Sequence, residues 1–356
     1  MKSTDYSLYW EDAQVRFVHA GLDDRAWRLA EKIFGYKKKN TIYIFHDKRL
    51  AAYYHVDDSR VEAAAGYDFY RSRKHADRII TLKKAVAEKV RSAQKRFAEC
   101  SLEPLNDKMM LEYLVSSLDL WREAVSVHYL TQPQFFEKFE ELHDTKHMDI
   151  LGMLADARFT YTRFAWTAMH EICQFLLGEY ARRRSLSLDE AEACSYEEIV
   201  ADSFDPNELR KRANEFVLTA AYHVLTVYTE KEADEFIATY ENYPKLESVK
   251  GIIGNGGIVS GEAFVLKNEH LDLKNLPKGM RHGMTLIVQN AWPELSAYYA
   301  SAGAIVTNEG GITSHGVVVA RELGIPCIVG TRIATKIFST GDMVEVDADA
   351  GIVRKL

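Results

Sequence analysis

The residues best suited to chemistry lie in one stretch, NEGGITSHGVVVAREL, at positions 308–323. A single histidine, His315, follows two glycines and two hydroxyl residues and opens a short apolar run. That order suits an imidazole that must present a ring nitrogen to a phosphate. Gly310 and Gly311 carry no side chains, so the backbone can turn tightly and bring its amides close to an anion. Thr313 and Ser314 can donate hydroxyl hydrogen bonds and cap the helix that follows. His315 then sits at a helix N-terminus, where unpaired amides and the macrodipole favour a bound anion. The same field disfavours imidazolium and keeps the ring neutral and nucleophilic at neutral pH. Arg321, almost two turns on, is a clamp for either the phosphate or a loop. Gly324 and Pro326 close the helix as a C′ glycine and a stop. His315 is therefore the candidate nucleophile, with Gly310, Gly311, Thr313, Ser314 and Arg321 as the candidate phosphate-binding set.

The flanking pattern supplies a scaffold for that loop. GIVSGEAFVL predicts a strand pair, MTLIVQ a buried strand, PELSAYYASA a helix and GAIVTNE another strand. After the glycines come the helix HGVVVAREL, the strand PCIVG and a hairpin in DMVEVDADAGIV. Alternating strands and helices read as an α/β layer with a β-rich start and end. Glycine marks where this region begins. Five of the 20 glycines lie in the first 250 residues, and the density rises at ENYPKLESVKGIIGNGG, where Pro244 and a polar run read as a linker. The expected division is 1–246 and 247–356.

The first region reads as mainly α-helical with a small β-hairpin, NTIYIF and LAAYYHV flanking HDKR. Ile79, Leu82, Val86, Val90 and Ala93 form one stripe of a long charged helix, and Leu111, Leu114, Leu118 and Trp121 mark another over roughly 108–128. A third helix, from about Asp149 to Arg184, would span ~50 Å. Ser187 and Ser195, each followed three residues later by Glu, are helix starts. A helix over roughly Pro206 to Tyr228 and a shorter one in KEADEFIATYEN complete the region.

Composition limits the function classes. The chain has 356 residues, 47% hydrophobic and 27% charged, with net charge −7, a balance that disfavours nonspecific binding to nucleic acid or anionic membranes. No apolar run approaches the ~18 residues of a membrane span, and the N-terminus lacks the apolar core of a signal peptide. Cys100, Cys173, Cys194 and Cys327 form no CxxC pair, so reduced thiols and a cytoplasmic location are expected.

Other singled-out residues have plainer readings. MHEICQF starts like a zinc-protease motif but has Gln174 at the second ligand position, so His170 reads as a bundle residue. His143 and His147 have metal spacing without a third ligand, so no metal is expected to bind this chain. Arg182, Arg183 and Arg184 suit either an anionic substrate or the negative end of a helix. Tyr161, Phe164, Trp166 and Phe175 read as core, and YKKKN at 36–40 as a surface turn.

The His315 stretch resembles the swivelling phosphohistidine domain of the PEP-utilising enzymes, the family of pyruvate phosphate dikinase, phosphoenolpyruvate synthase, enzyme I of the sugar phosphotransferase system and rifampin phosphotransferase. Gly310, Gly311, Thr313, His315, Val317, Val318, Val319, Ala320 and Arg321 fit its signature. GNGGIVSGEAFVL, AGAIVTNEGG, RELGIPCIVGT and GDMVEVDADAGIV extend the similarity over 251–356. The resemblance implies that His315 is the residue phosphorylated. Two positions depart from the pattern: Gly316 stands where Ala, Ser or Thr is usual, and Ala291 stands for Thr in NAWPEL, which keeps Pro293 and Glu294.

Residues 1–246 show neither the glycine-rich loops nor the β-rich lobes of an ATP-grasp domain, and a TIM barrel after the histidine region is not expected. The order of a helical module and a histidine domain looks like the last two parts of rifampin phosphotransferase-type enzymes. The resemblance thus implies a phosphotransferase component, dikinase-like and incomplete alone. His315 would take phosphate from ATP and Mg²⁺ bound by a separate ATP-grasp protein and pass it to a small-molecule acceptor, the helical region binding the acceptor or docking the partner. Two alternatives stand beside it: a degenerate regulatory module, or phosphorylation of His315 from PEP by a separate barrel.

Overall fold

The computed structural model describes residues 6–12, 16–100, 105–142, 144–240, 246–267, 277–312 and 314–356. The chain forms two compact units, Gln14–Thr239 and Met1–Ala13 with Tyr240–Leu356. The division thus falls ahead of the glycine-rich switch, and the N-terminal segment, with strand β1 (Tyr6–Asp12), groups with the C-terminal unit. Pro244, the expected linker residue, lies outside the described residues. No helix among those residues is long and apolar enough to cross a membrane.

The larger unit opens with α1 (Phe17–Phe34) and the hairpin of β2 (Asn40–His46) and β3 (Arg49–His55). The expected HDKR turn is there, with Asp47 and Lys48 both at positive φ, as a two-residue hairpin turn demands. Then follow α2 (Val56–Tyr70), α3 (Arg73–Glu99), α4 (Asp107–Tyr129) and α5 (Glu137–Glu141). α4 packs against α1, α3 and the later helix Phe164–Arg184. It buries Leu114, Leu118 and Trp121, while α3 buries Ile79, Val86, Val90 and Ala93.

The expected long helix is interrupted. α6 (Met148–Ala157) passes into a π-helical segment, Arg158–Arg163, before α7 (Phe164–Arg184). Thr162 donates its hydroxyl back to the Arg158 carbonyl at 2.8 Å, the kind of side-chain competition that loosens a helical ladder. The short α8 (Leu188–Glu192) and α9 (Tyr196–Ala201) start at Ser187 and Ser195 as expected.

The Pro206–Tyr228 expectation is corrected. α10 (Pro206–Asn214) stops early, and β4 (Phe216–Ala221) and β5 (Val224–Tyr228) follow, before α11 (Glu230–Tyr240). FVLTAA and VLTVY are rich in β-branched residues, Tyr222 and His223 make a positive-φ turn, and β2 offers a strand edge. β2 pairs antiparallel with both β3 and β4, and β4 with β5. The helices therefore carry a meandering sheet, beyond the single hairpin expected.

The C-terminal unit continues with β6 (Ser248–Lys250), β7 (Ile252–Asn255), β8 (Ile258–Leu266) and β9 (Thr285–Val288). It proceeds through α12 (Ser296–Tyr299), β10 (Ala304–Thr307), α13 (His315–Leu323) and β11 (Cys327–Val329). The last elements are α14 (Ala334–Ile337), β12 (Met343–Asp347) and β13 (Ile352–Lys355). The sheet order is β6-β13-β12-β8-β9-β10-β11-β7. β8, β9, β10 and β11 run parallel, with antiparallel strands on both sides. GIVSGEAFVL is one strand, not a pair. Its first half pairs with β12 and its second with β9, so no turn is needed at Ser260-Gly261.

Alternation along the central strands feeds two cores. Leu286 and Ile305 join Leu295, Val317 and Ala320 beneath α13, while Ile287 and Val306 join Ala334 and Phe338 around α14. The loops leaving the C-terminal ends of β9 and β10 converge at the start of α13. In parallel sheets that end is where ligands bind.

Candidate active site

The loop between β10 and α13 is fixed before it reaches His315. Asn308, 2% exposed, donates to Gln289 Oε1 at 2.6 Å and Thr335 Oγ1 at 2.7 Å, and accepts from the Thr335 amide at 3.1 Å. Backbone bonds tie Asn308 N to Val288 O and Glu309 N to Gln289 O, both at 3.0 Å. The Glu309 carboxylate accepts from Gln289 Nε2 at 2.8 Å and Asn290 Nδ2 at 3.1 Å. Sequence reasoning passed over Gln289, Asn290, Asn308 and Thr335. Their signal was a polar pair directly after each of two apolar strands, QN and NE.

Gly310 then turns with φ +105°, a region L side chains avoid. A Cβ there would lie 3.0 Å from Ser314 Cβ and 3.1 Å from its Oγ. Gly311 is buried, and its carbonyl accepts from the Ser314 amide at 2.8 Å. Ser314 is the N-cap of α13 with extended backbone, yet among the described residues its side chain makes no capping bond and its buried Oγ has no hydrogen-bond partner. A buried hydroxyl left unpaired costs stability unless something binds it. Thr313 lies outside the described residues.

His315 is half-buried at the first position of α13, its ring 6.0 Å from that of Tyr299 at 63°. Tyr299, 2% exposed, is anchored through its hydroxyl to the Trp292 carbonyl at 2.7 Å. The imidazole thus leans on a fixed aromatic edge, which limits its orientation.

Arg321 Nε donates to the carbonyl of Gly254, a residue of strand β7, at 3.1 Å. Six residues along a helix place Arg321 about 240° around and ~9 Å along from His315. Gly254 in turn lets β7 approach α13, since a Cβ there would meet Val317 at 2.6 Å. The departures at Gly316 and Ala291 are a single packing contact: a Cβ on Gly316 would stand 2.7 Å from Ala291 Cβ. Cys327, behind the helix, is no rival nucleophile, because burial pushes its thiol up to about 12.

The remaining candidates resolve within the larger unit. Arg182 and Arg183 bond Glu179, Arg183 also Asp107, and Arg184 Asp202 and Asp107, so all three are engaged by carboxylates. His147 bonds Asp144 at 2.8 Å, and His143 lies outside the described residues. Among the described residues no group of three His, Cys, Asp or Glu is placed to hold a metal. His170 packs its ring against His19 and Trp121. YKKKN is not wholly a surface turn. Lys38 is 4% exposed, its ammonium over the rings of Trp27 at 3.8 Å and Tyr54 at 3.1 Å and 3.8 Å from Glu62. Burial raises Asp23 and Glu62 beside it to about 7 each.

Comparison with known proteins bears on the region that holds His315. Residues 280–351 match the family profile described as PEP-utilising enzyme, mobile domain. A probable phosphoenolpyruvate synthase of Archaeoglobus fulgidus is 32% identical over 179 residues, 49% of this chain and 23% of that protein. The phosphoenolpyruvate synthase of Aeropyrum pernix is 36% identical over 147 residues, covering 41% and 17%. That of Pyrococcus furiosus is 25% identical over 299 residues, covering 81% and 35%. The matches thus span about a third or less of these relatives' lengths. The loop that presents His315 lies within residues 280–351, the part of the chain that matches the mobile domain of the PEP-utilising enzymes.

Proposed function

We propose that this chain is the phosphoryl-carrying part of a phosphotransferase, with His315 as the carrier. A ring nitrogen of neutral His315 attacks a phosphoryl phosphorus, and the P–O bond to the departing group breaks with its electron pair leaving on oxygen. The phosphoramidate then travels with its domain. An acceptor oxygen attacks the phosphorus, the N–P bond breaks, and its electron pair returns to the ring. The donor is ATP with Mg²⁺ on an ATP-grasp protein distinct from this chain, and the acceptor is a small molecule. Gly310, Gly311, Thr313 and Ser314 form the phosphate cradle.

The observation that supports this reading best is the buried, unpartnered Ser314 Oγ at an uncapped helix start beside His315. A phosphoryl oxygen is the missing partner: it accepts from the hydroxyl and from the first-turn amides, where the dipole adds to its stabilisation. The similarity to phosphoenolpyruvate synthases keeps PEP as a second donor.

The test is to incubate tagged chain in host lysate with β-labelled ATP, γ-labelled ATP or labelled PEP, and to repurify it. Acid-labile, alkali-stable label that disappears in His315→Ala supports the carrier, and the labelled position names the donor. No label from any of the three would leave a regulatory module.

A further inference from the structure

Asn308 directly follows β10 and is buried with its whole carboxamide. Burying a primary amide is costly unless its hydrogen bonds are made inside the protein. Here they are made in full. One Nδ2 hydrogen goes to Gln289 Oε1 and the other to Thr335 Oγ1, while Oδ1 accepts from the Thr335 backbone amide. Gln289, itself buried, passes the series on: its Nε2 donates to Glu309 Oε1 at 2.8 Å. Asn290 Nδ2 donates to the second oxygen of the same carboxylate at 3.1 Å.

These bonds run in one direction. The series starts at the Thr335 backbone N–H, which only donates, and ends at the Glu309 carboxylate, which only accepts. Both ends being fixed, each amide between them has one orientation. Asn308 turns its oxygen to Thr335 and its nitrogen to Gln289; Gln289 turns its oxygen to Asn308 and its nitrogen to Glu309. Turning either amide over would set oxygen against oxygen or nitrogen against nitrogen inside the protein, where a broken bond costs most.

Three loops meet in this series, at the C-terminal ends of neighbouring strands. Gln289 follows β9, Asn308 and Glu309 follow β10, and Thr335 lies in α14, after β11. Glu309 is the last residue before the Gly310 turn. Its amide donates to Gln289 O at 3.0 Å, its carbonyl accepts from the Thr307 hydroxyl, and its carboxylate holds the end of the series. The loop that carries His315 therefore leaves from a root fixed by Asn308 and Gln289.

We propose that Asn308 is a positioning residue for phosphoryl transfer at His315, and that it acts through the direction of this series: position 308 is an amide because position 309 is a carboxylate. The inference rests on His315 being the carrier. Asn308→Asp keeps the acceptor for Thr335 but has nothing to donate to Gln289. Gln289 would have to turn over, and its oxygen would then face the Glu309 carboxylate. Adding Glu309→Gln lets the same contacts run in reverse: Gln289 donates to the new carboxylate, and the new amide donates back to Gln289.

The test uses the full chain and potassium phosphoramidate, a small donor that phosphorylates imidazole without a protein partner. The ring nitrogen attacks phosphorus, the P–N bond breaks and ammonia leaves. Acid-labile phosphate on His315 is measured against His315→Ala, and the His315 ring signals are followed by NMR in the same samples. Asn308→Asp should slow phosphorylation about tenfold or more and shift or multiply those signals. Gln289→Glu sets the same clash from the other side and should do likewise; it is the decisive variant if Asn308→Asp does not fold. Adding Glu309→Gln to either should return the rate to within about threefold of the unaltered chain and restore the signals, a repair that mere loss of packing would not show. Single variants that react at the unaltered rate, or losses that Glu309→Gln repairs in neither pair, overturn the proposal. If the unaltered chain takes no phosphate on His315 while the ring signals still follow the exchange, the carrier reading fails and the series stands as what orients the ring.

Discussion

Three helices in this protein start at a serine with nearly the same extended backbone, and they are finished differently. Ser187 accepts from the Glu190 amide at 3.2 Å while the Glu190 carboxylate accepts from Ser187 N at 2.7 Å. Ser195 and Glu198 repeat the arrangement at 3.1 and 2.7 Å. At Ser314 the third residue is Val317, which cannot reciprocate; its amide turns to the Ser314 carbonyl at 3.1 Å, and the hydroxyl stays buried without a partner. In the helical unit Ser187 and Ser195 are closed by the unit's own carboxylates, whereas Ser72, at the start of α3, makes no side-chain cap bond among the described residues. On the proposed function, the start of α13 is left open for an anion from outside. A glutamate in position 317 would be both a cap and a competitor for the phosphate.

The strongest test of that contrast is at the glycines. Gly310→Val puts a branched side chain at φ +105° and within 3.0 Å of Ser314. Phosphoryl incorporation should fall at least ~100-fold, about 3 kcal/mol in the barrier. Gly35, at φ +76° after α1, has nothing within 4 Å of its Cβ direction. Gly35→Ala should cost about 1 kcal/mol of stability and leave labelling unchanged. Parallel labelling and urea titrations of the two variants check this; equal labelling losses would mean the loop has no special role.

That asymmetry explains what could be read ahead of the structure. Gly310, Gly311 and His315 stood out because two glycines, two hydroxyl residues and a histidine in that order suit an anion at a helix start. α13 followed from its own capping and stop signals. Gln289 and Asn308 did not stand out, because their role arises where two loops meet across parallel strands, a distance in space that spacing along the chain does not encode. β4 and β5 were missed for a related reason. FVLTAAYHVLTVY suits strands, but only the open edge of β2, about 170 residues earlier, selects them. Lys38, in the expected surface turn, is buried, and so is Lys83, which sequence reasoning passed over. Lys83 could have been suspected from its place in the Ile79–Val90 stripe.

The buried carboxylates give the helical unit a pH dependence of its own. Burial raises Asp23 from 3.8 to about 7, with Tyr43 donating to it and Lys38 opposing the rise. The folded state therefore holds this proton more tightly than the unfolded chain. The resulting stability is full below pH ~4 and is lost as pH rises through about 7. A shift of that size corresponds to up to ~4 kcal/mol. Asp23→Asn should flatten the fall between those limits, by about 2 kcal/mol once Lys38's lost counter-charge is offset. Urea midpoints at pH 5 and pH 8 measure it. An unchanged slope would place the titration on Glu62, which burial raises to about 7 as well.

A smaller effect joins the two departures from the family pattern. Gly316→Ala improves helix propensity by up to ~1 kcal/mol but drives a Cβ to within 2.7 Å of Ala291. Overpacking of that kind costs about 1–3 kcal/mol, so a net loss near 1 kcal/mol is expected. Ala291→Gly in the same chain should restore most of it, and a coupling below ~0.5 kcal/mol in the double-mutant cycle would separate the two positions.

The finest distinction is between the serines themselves. Ser195→Ala removes a satisfied cap and should cost about 1 kcal/mol, with labelling intact. Ser314→Ala removes a hydroxyl that has no hydrogen-bond partner among the described residues, so its stability effect should be near zero or slightly favourable. The phosphorylated form is another matter: there the hydroxyl has a phosphoryl oxygen to donate to, and a charge-assisted bond of ~1.5 kcal/mol corresponds to about a tenfold slower labelling. Stability curves and labelling rates on the same two preparations decide the point. If Ser314→Ala lost stability as Ser195→Ala does, its hydroxyl would be an ordinary cap, and the case for an anion at that helix start would rest on the glycines alone.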